Sequence, residues 1–226
     1  MTLRLVLRVG GSIINSPINT NIITKYIDLI KRLRKKEHQV AVVVGGGVIA
    51  REFINAAKKI GLDEKVQDQV AIHVSRIFAR FFMEKFQNSG CQSIPSTIEK
   101  ATDCFNEGKI VVMGGLQPGM TTDAVAALLA ENTNADLYIK ATDQDGIYDK
   151  DPKKYSDAVK LDKLSFDDLS HFLINKKHRA GMNQILDPKA IKILRKARIK
   201  TIVINGFNPE NTLSAVHGEK IGTLIE

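Results

Sequence analysis

The chain is 226 residues long, 43% hydrophobic and 26% charged. A chain of this size buries a core without staples, which excludes disorder, a collagen-like repeat and a disulfide-held mini-protein. Lysine and arginine number 33 against 25 acidic residues, a formal net charge of +8; that suits phosphorylated small molecules or polyanions and carries no information on fold.

In chain order, the hydrophobic pattern predicts a strand at Leu3–Val9, a helix over Asn21–Lys36, a strand at Gln39–Val44, and helices at Val48–Ile60, Val66–Asn88 and Thr97–Glu107. A strand at Lys109–Met113, a helix at Asp123–Asn132 and a strand at Asp136–Ala141 follow. Helices at Ser165–Leu173 and Pro188–Ala197, a strand at Lys200–Ile204 and a helix at Pro209–Val216 complete the pattern. The strands are nearly continuously apolar, as strands covered on both faces are. Alternating strand and helix predicts an α/β fold: a single-domain three-layer αβα sandwich with a mostly parallel central sheet. One domain over 1–226 is expected. Its two lobes, about 1–138 and about 139–226, divide near Lys140–Leu161, where Asp, Gly, Pro and Lys crowd together.

No run approaches the roughly 18 uninterrupted apolar residues of a membrane helix, so no membrane partner is expected. Arg4 and Arg8 interrupt the first apolar stretch, unlike a signal peptide, whose charge precedes its apolar core. Cys91 and Cys104 form no CxxC pair and no disulfide framework, and a reducing cytoplasm fits best. The run Lys31–Lys36 reads as the solvated last turn of a helix, where cations suit the dipole. With no Trp and 6% aromatics there is little to stack on bases, and no nucleic-acid partner is expected.

Three predicted strands end in glycine: Val9 into Gly10-Gly11-Ser12, Val44 into Gly45-Gly46-Gly47, and Met113 into Gly114-Gly115. One such cluster is explained as readily by tight strand–helix packing. Three at equivalent strand ends point to a crevice where backbone amides meet an oxyanion. The dinucleotide fingerprint, the P-loop and the protein-kinase motifs are all absent. After Gly115, Pro118 and Gly119 make a loop, and Thr121-Thr122-Asp123 opens an alanine-rich helix. These are good capping residues, and equally a phosphate cradle. The aspartates of Ala141–Pro152 are not a calcium loop, because Gly146 stands fourth from Asp143 and an EF-hand needs glycine sixth. The five histidines lack HExxH spacing, so no zinc and no protein-bound metal is expected.

These motifs together resemble the amino-acid-kinase family, and within it the archaeal-type uridylate (UMP) kinases. The matching elements are the strand into Gly10-Gly11-Ser12, the Val-Val-Val-Gly-Gly-Gly segment with Arg51, and Gly-Gly-x-x-Pro-Gly-x-Thr-Thr-Asp-Ala-Val-Ala-Ala. Asp-Gly-Ile-Tyr-x-x-Asp-Pro-Lys-Lys and the closing Gly222-Thr223 match as well. The resemblance implies transfer of the ATP γ-phosphoryl group to UMP with Mg²⁺, in the cytoplasm, by a homo-oligomer (a hexamer by that resemblance). It implies ATP and phosphate contacts at Arg8, Val9, Gly10, Gly11, Ser12, Gly46, Arg51, Thr142, Tyr148 and Asp151. UMP contacts are implied at Gly45, Asp68, Leu116, Gln117, Pro118, Gly119, Met120, Thr121 and Thr122. Arg8 and Asp123 are the implied catalytic pair, Asp123 ordering the basic groups around the moving phosphoryl. Asp68, by itself one more helix carboxylate, would accept the ribose hydroxyls.

Phosphoryl transfer needs positioning and charge neutralisation, so no side-chain nucleophile is expected and the glycine amides would cradle the phosphates. Arg8 stands where much of the family has Lys, and the two are not equivalent. Asp143 is a second departure, an added carboxylate near ATP phosphates. Lys176-Lys177-His178-Arg179 reads as a solvated basic loop or a cationic flap. Two alternatives stay open at this point. One is a related kinase acting on a carboxylate or an isoprenoid phosphate, against which Val44 and Val48 flank the glycine triplet without histidine. The other is a member that binds a nucleotide or oxyanion without turnover.

Overall fold

The computed structural model describes residues 2–14, 17–174 and 186–226. The first half contains β1 (Arg4–Val9), α1 (Gly11–Ile14), α2 (Thr20–Lys35), β2 (Gln39–Val44), α3 (Gly47–Lys59) and α4 (Glu64–Met83). A 3-10 turn at Gln87–Ser89 leads into α5 (Ile98–Asn106), β3 (Val111–Met113), α6 (Thr122–Asn132) and β4 (Leu137–Thr142). Then come β5 (Ile147–Tyr148), β6 (Lys160–Leu161), β7 (Lys163–Leu164), α7 (Phe166–Ile174), α8 (Pro188–Ala197), β8 (Lys200–Asn205), α9 (Glu210–Val216) and β9 (Thr223–Ile225).

The main sheet runs in the order β3-β2-β1-β4-β8-β9-β7. From β3 to β8 all neighbours are parallel. Strand β9 is antiparallel to β8, with β7 alongside it. A mostly parallel sheet flanked by helices is the α/β architecture expected from the sequence. The central strands are buried throughout, as Val6, Val9 and Val40–Val44 illustrate, because helices cover both of their faces.

The helices follow local chemistry. Asn19 caps α2 by accepting from the Ile22 amide at 3.0 Å, and Ile22, Tyr26, Ile30 and Leu33 form its buried stripe. Its basic last turn is tied down in part: Arg32 pairs with Glu210 of α9, and Arg34 donates to the Gly108 carbonyl at 2.6 Å. Helix α6 is buried almost all round, from Ala124 to Ala130. It packs between β1, β2, α5 and α8, where alanine allows close approach.

Three expectations are corrected. The long helix expected to Asn88 stops at Met83, and the 3-10 turn that follows begins at Gln87 with φ of 42°, a left-handed conformation no α-helix continues through. The short β5–β6 hairpin, β7 and β9 escaped notice, since two- and three-residue strands leave no periodicity. Cys91 and Cys104 are disulfide-bonded, with their Cα atoms 6.0 Å apart. The pairing is tertiary: Gly90 bridges Ile110 beside β3 and so brings Cys91 beneath α5.

Candidate active site

Parallel register fixes the centre of the site. Arg8 of β1 lies directly beside Lys140 of β4, so both side chains leave the sheet on the same face. Helix α6 crosses that face and presents Asp123 from its first turn. Arg8 Nε lies 2.7 Å from Asp123 Oδ1, and Lys140 Nζ donates to Asp123 Oδ2. Lys140 is 3% exposed and Asp123 7%. Burial pushes the Asp123 carboxyl up, but the Arg8 and Lys140 charges outweigh it and hold the group below its ordinary range. Burial drives the Lys140 ammonium down to about 8, against the pull of Asp123. Tyr138 shares this face, and burial pushes its phenol well above the usual value.

The Arg8 guanidinium is aimed by its remaining contacts. Nη2 donates to Thr122 Oγ1 at 3.0 Å. A Cβ at Gly10 would stand 3.1 Å from Nη1, and one at Gly45 3.1 Å from Nη2. Side chains at these strand ends would crowd the guanidinium. Gly11 packs on Gly47 still more closely, since a Cβ there would fall 2.1 Å from the Gly47 nitrogen. The β1 and β2 turns therefore touch backbone to backbone.

Three amides of the glycine turns are engaged within the fold itself. Gly10 N donates to Ala141 O at 2.9 Å, Gly45 N to Val9 O at 3.0 Å, and Gly115 N to Ser75 Oγ at 2.8 Å. Those amides complete the fold. Parallel strands continue their ladder into the first residue of a turn, which the sequence pattern does not reveal. Val9 is fully buried and offers no side chain to a ligand, whereas Ser12 remains partly exposed in α1.

The loop from Leu116 to Thr122 forms one wall of a cavity of about 520 Å³. Met120 N donates to Gln117 O at 3.2 Å, and Gly119 has φ of +74°. With Pro118 second and Gly119 third, this is a type II turn. Asp68 of α4 accepts from Gly119 N at 2.6 Å, and Lys189 of α8 donates to Gly119 O at 3.1 Å. Thr121 caps α6 and donates to Asp187 Oδ2 at 2.5 Å. Gln117, Gly119, Met120, Thr121 and Thr122 line the cavity together with Gly46, Arg51 and Asp68. Leu116 packs against the core. Arg51, expected on the ATP side, thus shares the acceptor loop's cavity.

The remaining expected ATP contacts collect beyond β4. Thr142 ends that strand, and its hydroxyl donates to Asp143 Oδ1 at 3.3 Å. Lys153 lies 3.1 Å from Asp143 Oδ2; despite its partial burial, this partner holds the Asp143 carboxyl below its ordinary value. The added carboxylate is therefore matched by a cation. Tyr148 OH lies 3.5 Å from Asp145, which also accepts from Asn205 at 2.7 Å. Asp151 accepts from the Lys153 amide at 3.0 Å. Lys176, Lys177, His178 and Arg179 lie outside the described residues.

Sequence reasoning missed Lys140, Asp187 and Lys189. Lys140 carried a usable signal, a lone charge inside the apolar run Leu137–Ala141, since buried lysines need partners. Asp187 and Lys189 flank a proline at a helix start and read only as a cap and its first turn.

Among the described residues, no helix is long and apolar enough to cross a membrane. The amino acid kinase family model matches residues 3–205. The chain is 39% identical to the uridylate kinase of Methanocaldococcus jannaschii over 226 residues, covering 99% of this chain and all of that protein. It is 35% identical to the uridylate kinase of Methanobrevibacter smithii, covering 99% of each. The crystal structure of uridylate kinase from Archaeoglobus fulgidus superposes with a TM-score of 0.89 at 38% identity, over 99% of this chain and all of that one. A cation pair around one buried carboxylate, glycine turns meeting beside it and full-length likeness to these kinases lead to one assignment: this chain belongs to the amino acid kinase family.

Proposed function

We propose that the chain moves the γ-phosphoryl group of ATP to UMP, giving UDP and ADP. The observation that carries this reading is the Arg8–Asp123–Lys140 cluster, set where the acceptor loop meets the glycine turns. A UMP phosphate oxygen forms the new bond to the γ-phosphorus as the bond to the ADP oxygen breaks. That oxygen is already anionic, so no general base is needed. Arg8 neutralises charge on the moving group, and Asp123 holds it in place.

The cavity beside Asp68 takes UMP, with the Gln117–Thr122 loop around its phosphate. Arg51 spans from this cavity toward ATP. ATP lies over β4 and the β5 hairpin, with Thr142, Tyr148 and Asp151 in its lobe. Gly11, Ser12 and Gly46 flank the transferring phosphate.

Among the described residues no three His, Cys, Asp or Glu side chains are grouped to hold a metal, and Asp123 and Asp143 are already matched by cations. This donor set fits a magnesium ion carried on nucleotide phosphates with its own waters. Such an ion would supply charge neutralisation on the transferring phosphates.

We place the reaction in the cytoplasm, where nucleotides of this class are made and used. We read the chain as a homo-oligomer, a hexamer by family resemblance. The support is an exposed apolar face carrying Phe53, Ile77 and Phe81, too large a grouping to leave in water. Light scattering on Ile77→Glu checks this, with a smaller particle expected.

The catalytic reading is tested by coupling ADP release to NADH oxidation with UMP, an isoprenoid phosphate or a carboxylate as acceptor. UMP-dependent ADP formation, with UDP as product, is expected. ADP release that ignores UMP overturns the reading.

A further inference from the structure

Lys140 is the one member of the central cluster that the sequence motifs did not supply. It sits in the middle of a strand whose other residues from Leu137 to Ala141 are apolar or aromatic and buried. Nothing in packing calls for a charge there, and burying an ammonium is expensive unless it is paired. Its partner is Asp123 Oδ2.

An arginine facing a free carboxylate ordinarily takes both oxygens in a two-pronged contact. Here Arg8 has only Oδ1, through Nε at 2.7 Å. Its Nη2 is left to donate to Thr122 Oγ1 at 3.0 Å, and Nη1 and Nη2 lie against Gly10 and Gly45. The reason for this one-sided contact is that Lys140 occupies the second oxygen. Asp187 adds a second carboxylate beside Lys140, so what the cluster presents to the crevice where a phosphoryl group would move is the Arg8 guanidinium rather than a surplus charge.

We propose that Lys140 is a positioning residue for phosphoryl transfer: by holding Oδ2 of Asp123 it keeps Arg8 turned toward the glycine turns instead of folded onto the carboxylate. The assignment rests on the kinase reading above and extends it to a residue that touches no substrate.

The surroundings of Lys140 give the assignment a pH signature. Asp123 from α6 and Asp187 from the start of α8 favour its charged form; Arg8 from β1 opposes it. Tyr138, two residues back on β4, faces the same groups. Burial keeps its phenol neutral far above pH 10, and its hydroxyl has no hydrogen-bond partner among the described residues. Burial brings Lys140 down to about 8. Losing its proton frees Oδ2, and Arg8 closes onto both oxygens.

The test is kcat and KM for UMP and ATP between about pH 6.5 and about pH 9.5, a range that brackets this titration, for the wild type, Lys140→Met and Lys140→Arg. The wild type should lose kcat as pH rises through about 8, with KM steady. Lys140→Met should lower kcat about 100-fold near pH 7, with KM moving less than about threefold, and should lack the alkaline limb. Lys140→Arg, which stays charged, should recover part of kcat and carry the limb to higher pH. A merely structural lysine would lower melting temperature in Lys140→Met and leave the limb where it was. A wild-type kcat that is flat through pH 8, or a Lys140→Met enzyme that keeps the limb or turns over within about twofold of wild type, overturns the proposal. If Lys140→Met does not fold, the wild-type profile and Lys140→Arg decide in the same way. The same limb seen with an acceptor other than UMP would overturn the choice of UMP while supporting Lys140, and turnover with no acceptor would overturn both.

Discussion

Arg8 and Lys140 are direct neighbours across two parallel strands, and they divide one carboxylate, Asp123, between them, an oxygen each. A parallel sheet in register places such partners side by side on one face without any further device. The first turn of α6 then needs only an acid at its second residue to bind both.

Replacing Arg8 by alanine removes the guanidinium over Gly10 and Gly45. Lys140 still compensates Asp123, so the fold should hold, with a melting temperature within a few degrees of wild type. Turnover in the coupled ADP assay should fall about 10²–10³-fold, the scale of losing a preorganised charge aimed at the transition state. An unchanged kcat would remove Arg8 from the mechanism.

Asp123→Asn should cost stability as well as rate. It leaves Arg8 and Lys140 facing each other in a buried site, where breaking such a cluster costs about 3 kcal/mol. The native-state pKa of Asp123 is lowered, so its contribution is present above the unfolded value of about 3.9 and is lost as pH falls through the native value. Urea unfolding near pH 7 should show the full deficit. Below about pH 4 the wild type should lose stability more steeply than the variant; parallel slopes would refute the role given to this carboxylate.

The central sheet was legible because its strands are covered on both faces and so read as unbroken Val and Ile. The helix start at Thr121-Thr122-Asp123 was legible from capping chemistry, and Thr121 does accept a first-turn amide; the caps at Asn19 and Asp187 lie just outside the helices that the pattern predicts from Asn21 and Pro188. What stayed hidden was tertiary. The use of Gly10, Gly45 and Gly115 amides within the fold depends on neighbouring strands and on Ser75 of α4. Lys140 stands out in sequence as a lone charge in an apolar run, but its partner is revealed only when register sets it beside Arg8 and α6 brings Asp123 over both. The Cys91–Cys104 bond depends on a bridge between Gly90 and Ile110, which no spacing rule contains.

Asp68→Ala should act on the acceptor and little else. Asp68 holds the Gly119 amide at 2.6 Å while lining the cavity. Hydrogen bonds to a charged group are worth about 1.5–3 kcal/mol, so KM for UMP should rise at least about tenfold. KM for ATP should change little, and kcat should stay within about threefold because the Arg8–Asp123 pair is untouched. A rise in the KM for ATP instead would reverse the assignment of the two sites.

Reduction of the Cys91–Cys104 bond should lower stability without lowering turnover. The bridge joins residues 13 apart in sequence, and cross-linking a loop of that size contributes about 3 kcal/mol by restricting the unfolded chain. Both cysteines line a cavity bounded by α5 and the segment from Gly90 to Ser96, which shares no residue with the one beside Asp68. The double substitution Cys91→Ser with Cys104→Ser should therefore lower the urea midpoint and leave kcat and both KM values within about twofold of wild type. Dithiothreitol should reproduce the stability loss in the wild type and have no effect on the double variant. A fall in kcat on reduction, at a temperature where the protein stays folded, would instead couple this bridge to the active site through Arg76 of α4, whose guanidinium donates to the Pro95 carbonyl at 3.3 Å.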